Sequence, residues 1–380
     1  MNNGDYTEYG YDNTYQLTSE TKKNSGDTTL YSYSYTYDGV GNRGTMVHFD
    51  GTNTTNYTYS YNNLNQLTSK SDGATTTTTY TYDDNGNLIQ KSVIANDSEA
   101  ISLSSWTYEN KMKAVTLPDS SVTTFSYNPE GLRIKKIDSG GTTKYVLDGL
   151  AVLKEYDDSN NLLATYTPGI SIRKNSNSYW YNYDGLGSIT TTTDSSQSIE
   201  NAYTYDAFGN QLSSSGSLTQ PYRYVGQQYY YSEGDIGLQL LGQRWYDAEI
   251  GRFVNRDPIV YNGGINLYAY VVNNVINLND PTGEIAIYGN WCGPGWPDAA
   301  TLAEGIPRTV DCVDAACKVH DECYGRYRVR WWNFEINPFR RYCDLQLCNN
   351  TRRCDPCELE EIGRGAMVVI LSWSCISWVL

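Results

Sequence analysis

Cysteine is absent from the first 291 residues of this 380-residue chain; all nine cysteines fall between Cys292 and Cys375. That excludes a disulfide framework from the long first part and marks a second region, joined to it, in the tail. Positive charge is also short. Lys and Arg number 28 against 43 Asp and Glu, for a net charge of −15 and a pI of about 4.6, which argues against a basic nucleic-acid footprint. Apolar runs are few: the longest, Ala366 to Leu380, has fifteen residues and three serines, too short for a membrane span and better suited to a packed or interfacial segment. The opening Met-Asn-Asn-Gly-Asp-Tyr has neither a basic nor an apolar signal region. The scarcity of histidine confines imidazole chemistry to His48 and His320, and His48 reads as a structural surface residue between repeats.

Phenylalanine (6) and methionine (4) are rare, while tyrosine reaches 36. Tyrosine is an amphipathic strand residue with a polar tip, so the chain reads as largely β. Its tyrosines fall in a phrase, Tyr-x-Tyr-Asp/Asn, followed by a Gly/Asn turn: Tyr35-Thr-Tyr37-Asp38 then Gly41-Asn42, and Tyr80-Thr-Tyr82-Asp83 then Gly86-Asn87. Variants stand at Tyr11, Tyr61, Tyr127, Tyr183 and Tyr205, and unbroken copies recur every 19 to 26 residues, which suits one hairpin per repeat. Strict alternation, as in Tyr31, Tyr33, Tyr35 and Tyr37, puts each copy's tyrosines on one strand face. One hairpin cannot bury that face alone, so neighbours must stack into a continuous sheet. An ordinary antiparallel sandwich is the alternative.

These phrases resemble the YD repeats of the Rhs family, and the resemblance extends over about residues 1–283. The blocks Arg244-Trp245-Tyr246-Asp247, Gly251-Arg252-Phe253, Arg256-Asp257-Pro258, Asn266-Leu267-Tyr268 and Asp280-Pro281-Thr282-Gly283 resemble the Rhs-associated core. The resemblance implies a multidomain chain: a mainly antiparallel β hairpin shell over 1–222, partial in extent, a core over 223–283 that closes it, and a cysteine-rich domain over 284–380. It also implies self-cleavage just after the last Asp-Pro motif by acidic residues, with Arg256, Asp257 and Asp280 at the matching positions. Glu284 stands where the family usually has leucine. The plainer reading makes both Asp-Pro pairs turn formers.

In the tail, Asp314-Ala-Ala-Cys317-Lys-Val-His320-Asp321-Glu-Cys323-Tyr324-Gly325 reads as a helix, with Cys317, His320 and Tyr324 on one face and Asp321 turned away. Upstream, Trp291-Cys292-Gly293-Pro294-Gly295 is a loop whose carbonyls can turn inward. Inward carbonyls and a carboxylate suit a hard cation such as Ca²⁺. Together these motifs resemble secreted phospholipase A2 over about Tyr288 to Cys348. The resemblance implies a small α-helical, disulfide-linked domain with His320 as general base on water. It makes the carbonyls of Trp291, Gly293 and Gly295 and the Asp321 carboxylate calcium ligands. Asp344 would orient the imidazole, with Tyr324 as support, and disulfides Cys292–Cys317 and Cys323–Cys343 would staple the domain. Two readings stay open beside it: a Cys/His zinc site that draws on Cys354 and Cys357, and a non-catalytic disulfide-held cap.

Between the two expected helices, Arg326 to Arg341 holds five arginines with Trp331 and Trp332. This is the composition of a membrane interface or, more plainly, of rings covering a small core. The expectation is a secreted or surface-delivered Rhs toxin that acts on the phospholipid membrane of a target cell and is matched by a cognate immunity protein, with no nucleic-acid partner. The alternative is a surface adhesion protein.

Overall fold

The computed structural model describes residues 4–96 and 98–284. The cysteine-rich segment, with its expected helices and disulfides, lies outside the described residues. The described residues divide into two compact units: one comprises 4–12, Gln16–Asn273 and Pro281–Glu284, the other Asn13–Tyr15 and Asn274–Asp280.

The first unit is antiparallel β. Twenty strands, from β1 (Tyr6–Tyr11) to β20 (Gln211–Gly216), pair strictly with their sequence neighbours, so the sheet is one long meander. Each phrase supplies the same local structure. In β3 (Thr29–Tyr37), Tyr35 faces Met46 of β4 (Arg43–Phe49), and the register then slips by one residue between Thr36 and Tyr37. The same bulge falls at Tyr11, Tyr61, Tyr82, Tyr127, Tyr183 and Tyr205. The acid after the tyrosine explains it, because Asp38 leaves the ladder to build the turn. Its Oδ1 accepts the Val40 and Asn42 amides at 3.0 and 2.9 Å, and its Oδ2 accepts Asn42 Nδ2 at 2.9 Å. Asp83 with Asn87 and Asp206 with Asn210 repeat the clasp.

The two tyrosines of a phrase do different work. In five phrases the first is buried: Tyr35, Tyr59, Tyr80, Tyr181 and Tyr203 line the inner face, whereas Tyr9 in the first copy is exposed. In four phrases the second sends its hydroxyl to a carbonyl of the preceding hairpin: Tyr37 to Leu17, Tyr61 to Arg43, Tyr127 to Met112 and Tyr205 to Ile189, at 2.8 to 3.0 Å. Phenylalanine could fill that space but not make that bond, which accounts for tyrosine at these four positions.

Four short strands follow in a second sheet: β21 (Tyr231–Glu233), β22 (Leu238–Leu241), β23 (Arg244–Asp247) and β24 (Arg252–Phe253). Trp245, Tyr246, Phe253 and Tyr270 are buried here, with the Tyr246 and Tyr270 rings 4.4 Å apart. This segment engages the repeat turns directly. Arg252 Nη1 and Asn266 Nδ2 both donate to Asn42 Oδ1 at 2.9 Å, Tyr268 donates to the Gly86 carbonyl at 2.9 Å, and Asn273 Nδ2 donates to Gly41 at 2.9 Å. Among the described residues of the second unit, the Asn277 and Leu278 amides donate to the Asn274 carbonyl, and Asp280 is buried.

Candidate processing site

Residues 241–244 make the turn that places this site. Gly242 has a φ of 49°, and a Cβ there would collide with the Thr282 carbonyl, so only glycine lets the segment 282–284 lie this close. The Gln243 amide donates to Thr282 O at 2.8 Å. Gly283, with a φ of 69°, sits equally tight, since a Cβ there would strike Leu241 O and the Arg244 backbone.

Arg244 then turns its side chain inward, where only 2% of the residue stays exposed. Its Nε donates to the Gly283 carbonyl, its Nη2 pairs with Asp257 Oδ2 at 3.0 Å, and its Nη1 reaches the Leu267 carbonyl at 3.4 Å. The guanidinium lies 3.5 Å from the Phe253 ring centroid. A cation so buried requires anionic and carbonyl partners, and it has both.

Asp257 is fixed from two sides. Its amide donates to Leu267 O at 2.9 Å, and its Oδ1 accepts the Ile259 amide at 3.0 Å, the turn-forming use of an Asp-Pro pair. Its Oδ2 is left for Arg244. Gly263 has no Cβ where both Asp257 Oδ2 and the Glu284 carbonyl approach, so the carboxylate and the backbone after Gly283 converge on one glycine. Chemically, a carboxylate stands one guanidinium away from a peptide carbonyl that the same guanidinium polarises.

Of the three residues expected for self-cleavage, Asp257 occupies this site. Arg256 is exposed, and its methylenes cover Gly86 beside Tyr268. Asp280 is buried within the second unit. The expected catalytic and metal residues His320, Tyr324, Asp344, Trp291, Gly293, Gly295 and Asp321, and the paired Cys292, Cys317, Cys323 and Cys343, lie outside the described residues. Sequence reasoning passed over Arg244. The available signal was an arginine embedded between Leu240-Leu241 and Trp245-Tyr246, a setting that obliges it to find a buried anion.

Residues 61–96 match the RHS Repeat family. The tRNA3(Ser)-specific nuclease WapA of Bacillus spizizenii is 32% identical over 324 residues, covering 76% of this chain and 13% of that protein. Double-stranded DNA deaminase toxin A of Burkholderia cenocepacia is 27% identical over 225 residues, covering 48% of this chain and 16% of that protein. Among solved structures, the Photorhabdus luminescens Tc holotoxin pore is 20% identical, with a TM-score of 0.40, over 74% of this chain and 18% of that one. The chain therefore spans about an eighth of the length of the WapA relatives it matches.

Proposed function

Since its repeats make this chain an Rhs-type protein, we propose that it belongs to a delivered toxin, with residues 1–283 as β carrier and the cysteine-rich tail as enzymatic cargo. The relative named a DNA deaminase toxin supports a toxin role. For the tail itself the reading is a calcium-dependent phospholipase A2-type hydrolase that cleaves the sn-2 ester of target-cell phospholipids. One observation carries it: Cys317-Lys-Val-His320-Asp321-Glu-Cys323-Tyr324 together with Trp291-Cys292-Gly293-Pro-Gly295 and Cys343-Asp344.

Three backbone carbonyls, from Trp291, Gly293 and Gly295, with the Asp321 carboxylate form an all-oxygen donor set that fits a hard divalent cation. Calcium held there supplies Lewis-acid stabilisation of the ester oxyanion. His320 takes a proton from water, Asp344 accepts from the other imidazole nitrogen and fixes the tautomer, and Tyr324 supports the pair. Staples Cys292–Cys317 and Cys323–Cys343 belong to the same reading. A membrane surface is the substrate and an immunity protein the proposed partner in the producing cell. Processing near Gly283 by acidic residues, Asp257 among them, would release the tail.

The relatives named as tRNA nucleases and a DNA deaminase favour a second reading, in which the cargo acts on nucleic acid. The acidity of the chain as a whole does not bear on its arginine-rich stretch from Arg326 to Arg341.

The deciding experiment offers the full chain phospholipid vesicles, tRNA and double-stranded DNA, each with calcium and with a chelator. Calcium-dependent fatty-acid release that His320→Ala and Asp321→Ala each reduce by at least about a hundredfold is the expected result. Cleavage or deamination of nucleic acid with no lipid hydrolysis would replace the phospholipase reading by the second one.

A further inference from the structure

We propose that Arg244 is the positioning residue for chain processing, and that the bond it presents is Gly283–Glu284. The inference rests on the processing reading above and adds to it a residue and a bond. Three features of the first unit carry it. The Arg244 guanidinium binds the Gly283 carbonyl and the Asp257 carboxylate at once. Glycine at 242 and at 283 permits the close approach of residues 282–284 to the β22–β23 turn, and the Gln243 amide fixes their register through Thr282. Gly263 leaves room for Asp257 Oδ2 beside the Glu284 backbone.

Hydrolysis at this bond balances with water alone. Water adds its oxygen to the Gly283 carbonyl carbon while Asp257 takes one of its protons. The developing oxyanion stays on Arg244 Nε, where the guanidinium already lies. The C–N bond to Glu284 then breaks, and the proton passes from Asp257 to the departing Glu284 nitrogen. The products are a carboxyl terminus at Gly283 and an amino terminus at Glu284. Arg244 forms no bond in this sequence. It keeps the carbonyl and the carboxylate in one geometry, as proximity effects require.

A merely structural arginine would also be buried and paired, so the test needs a readout that packing does not move. The full chain is expressed as wild type, Asp257→Asn, Arg244→Ala and Arg244→Lys. Cutting is followed by intact mass and by the amino-terminal sequence of the smaller fragment, with circular dichroism reporting the β fold. Wild type should yield a fragment beginning at Glu284, and Asp257→Asn should stay whole. Arg244→Ala should be slowed about a hundredfold, and millimolar guanidinium should restore part of that rate by filling the vacated site. Arg244→Lys, which keeps charge but not the fork, should fall between.

An uncut wild type removes the processing reading and this inference with it. A cut wild type overturns Arg244 alone if Arg244→Lys processes at the wild-type rate, if a folded Arg244→Ala does so or gains nothing from guanidinium, or if the new terminus is not Glu284. Should Arg244→Ala fail to fold, the Arg244→Lys rate and the mapped terminus still decide.

Discussion

The repeat sheet and the segment that closes it spend tyrosine and charge in opposite ways. In the repeats, most phrases bury their first ring, and four tie the second tyrosine to a carbonyl of the preceding hairpin, so each hairpin relies on those beside it. In the segment from Tyr222 to Asn273, strands are two to four residues long and more than half of the described residues are buried. Its partners come from far away in sequence. Glu233 is buried against Arg133, and Lys136 Nζ adds to it at 2.9 Å, while the Arg133 guanidinium lies 4.4 and 4.3 Å from the Tyr145 and Tyr231 rings. Periodic structure is cheap to extend, whereas closure demands specific long-range matches.

The largest expected contrast comes from two tryptophans. Trp245 is 1% exposed, with its ring centroid 4.8 Å from that of Phe125 and its Nε1 donating to Tyr127 at 3.3 Å. Trp180, on β17 (Asn177–Tyr183), is 41% exposed. Trp245→Ala should cost about 3–5 kcal/mol and Trp180→Ala less than about 0.5 kcal/mol, read from urea midpoints at constant m. Equal losses would show that the closing segment is no more than an appendage of the sheet.

What was legible follows the same division. In the phrases, bulge and turn are written locally, in the Asp or Asn after Tyr-x-Tyr whose side chain accepts the amide four residues later, so the antiparallel meander could be read off. Between Tyr127 and Tyr183 the phrase lapses, yet β13 (Gly141–Asp148), β14 (Ala151–Tyr156), β15 (Leu162–Thr167) and β16 (Ser171–Lys174) continue the ladder without a break. There Asp157 and Asn161 keep the clasp, and Tyr145 and Tyr166 keep the buried positions, so the pattern persists without its spelling. The processing site was half legible. Asp257 stood out through its Asp-Pro pair, but its partner is thirteen residues earlier on a strand of four, too short to show a period. The tail's motifs were read from sequence, and their geometry lies outside the described residues.

A smaller, pH-dependent difference should come from Glu20 on β2 (Leu17–Lys23). It is buried, accepts the Ala207 amide at 2.8 Å and the Tyr31 hydroxyl at 3.3 Å, and faces Asp206. Burial, with Asp206 adding, pushes its carboxyl up to about 8 from the ordinary 4.5. The folded chain then holds a proton that the unfolded chain releases, so stability should fall as pH rises from about 4.5 to about 8. Glu20→Gln, whose amide oxygen can still accept from Ala207, should flatten that decline and gain about 1–3 kcal/mol at pH 8.5. Melting curves across the window test it; an unchanged pH slope in the variant would assign the dependence to other carboxylates such as Asp206 and Asp247, which burial also raises.

The smallest effect separates the first tyrosine of one phrase from the second tyrosine of another. Tyr80 is 5% exposed, and its hydroxyl has no hydrogen-bond partner among the described residues, whereas Tyr61 donates to the Arg43 carbonyl at 3.0 Å. An unpaired buried hydroxyl has lost its water without replacement, so removing it restores what burial took away. Tyr80→Phe should therefore be neutral or stabilising by up to about 1 kcal/mol. Tyr61→Phe leaves a carbonyl without its donor and should cost about 1 kcal/mol. The pair isolates the hydroxyl, because ring volume and strand position barely change. If both variants lost stability equally, the first tyrosine would be held for its polar tip too, and the division of labour within the repeat would give way to a uniform ladder.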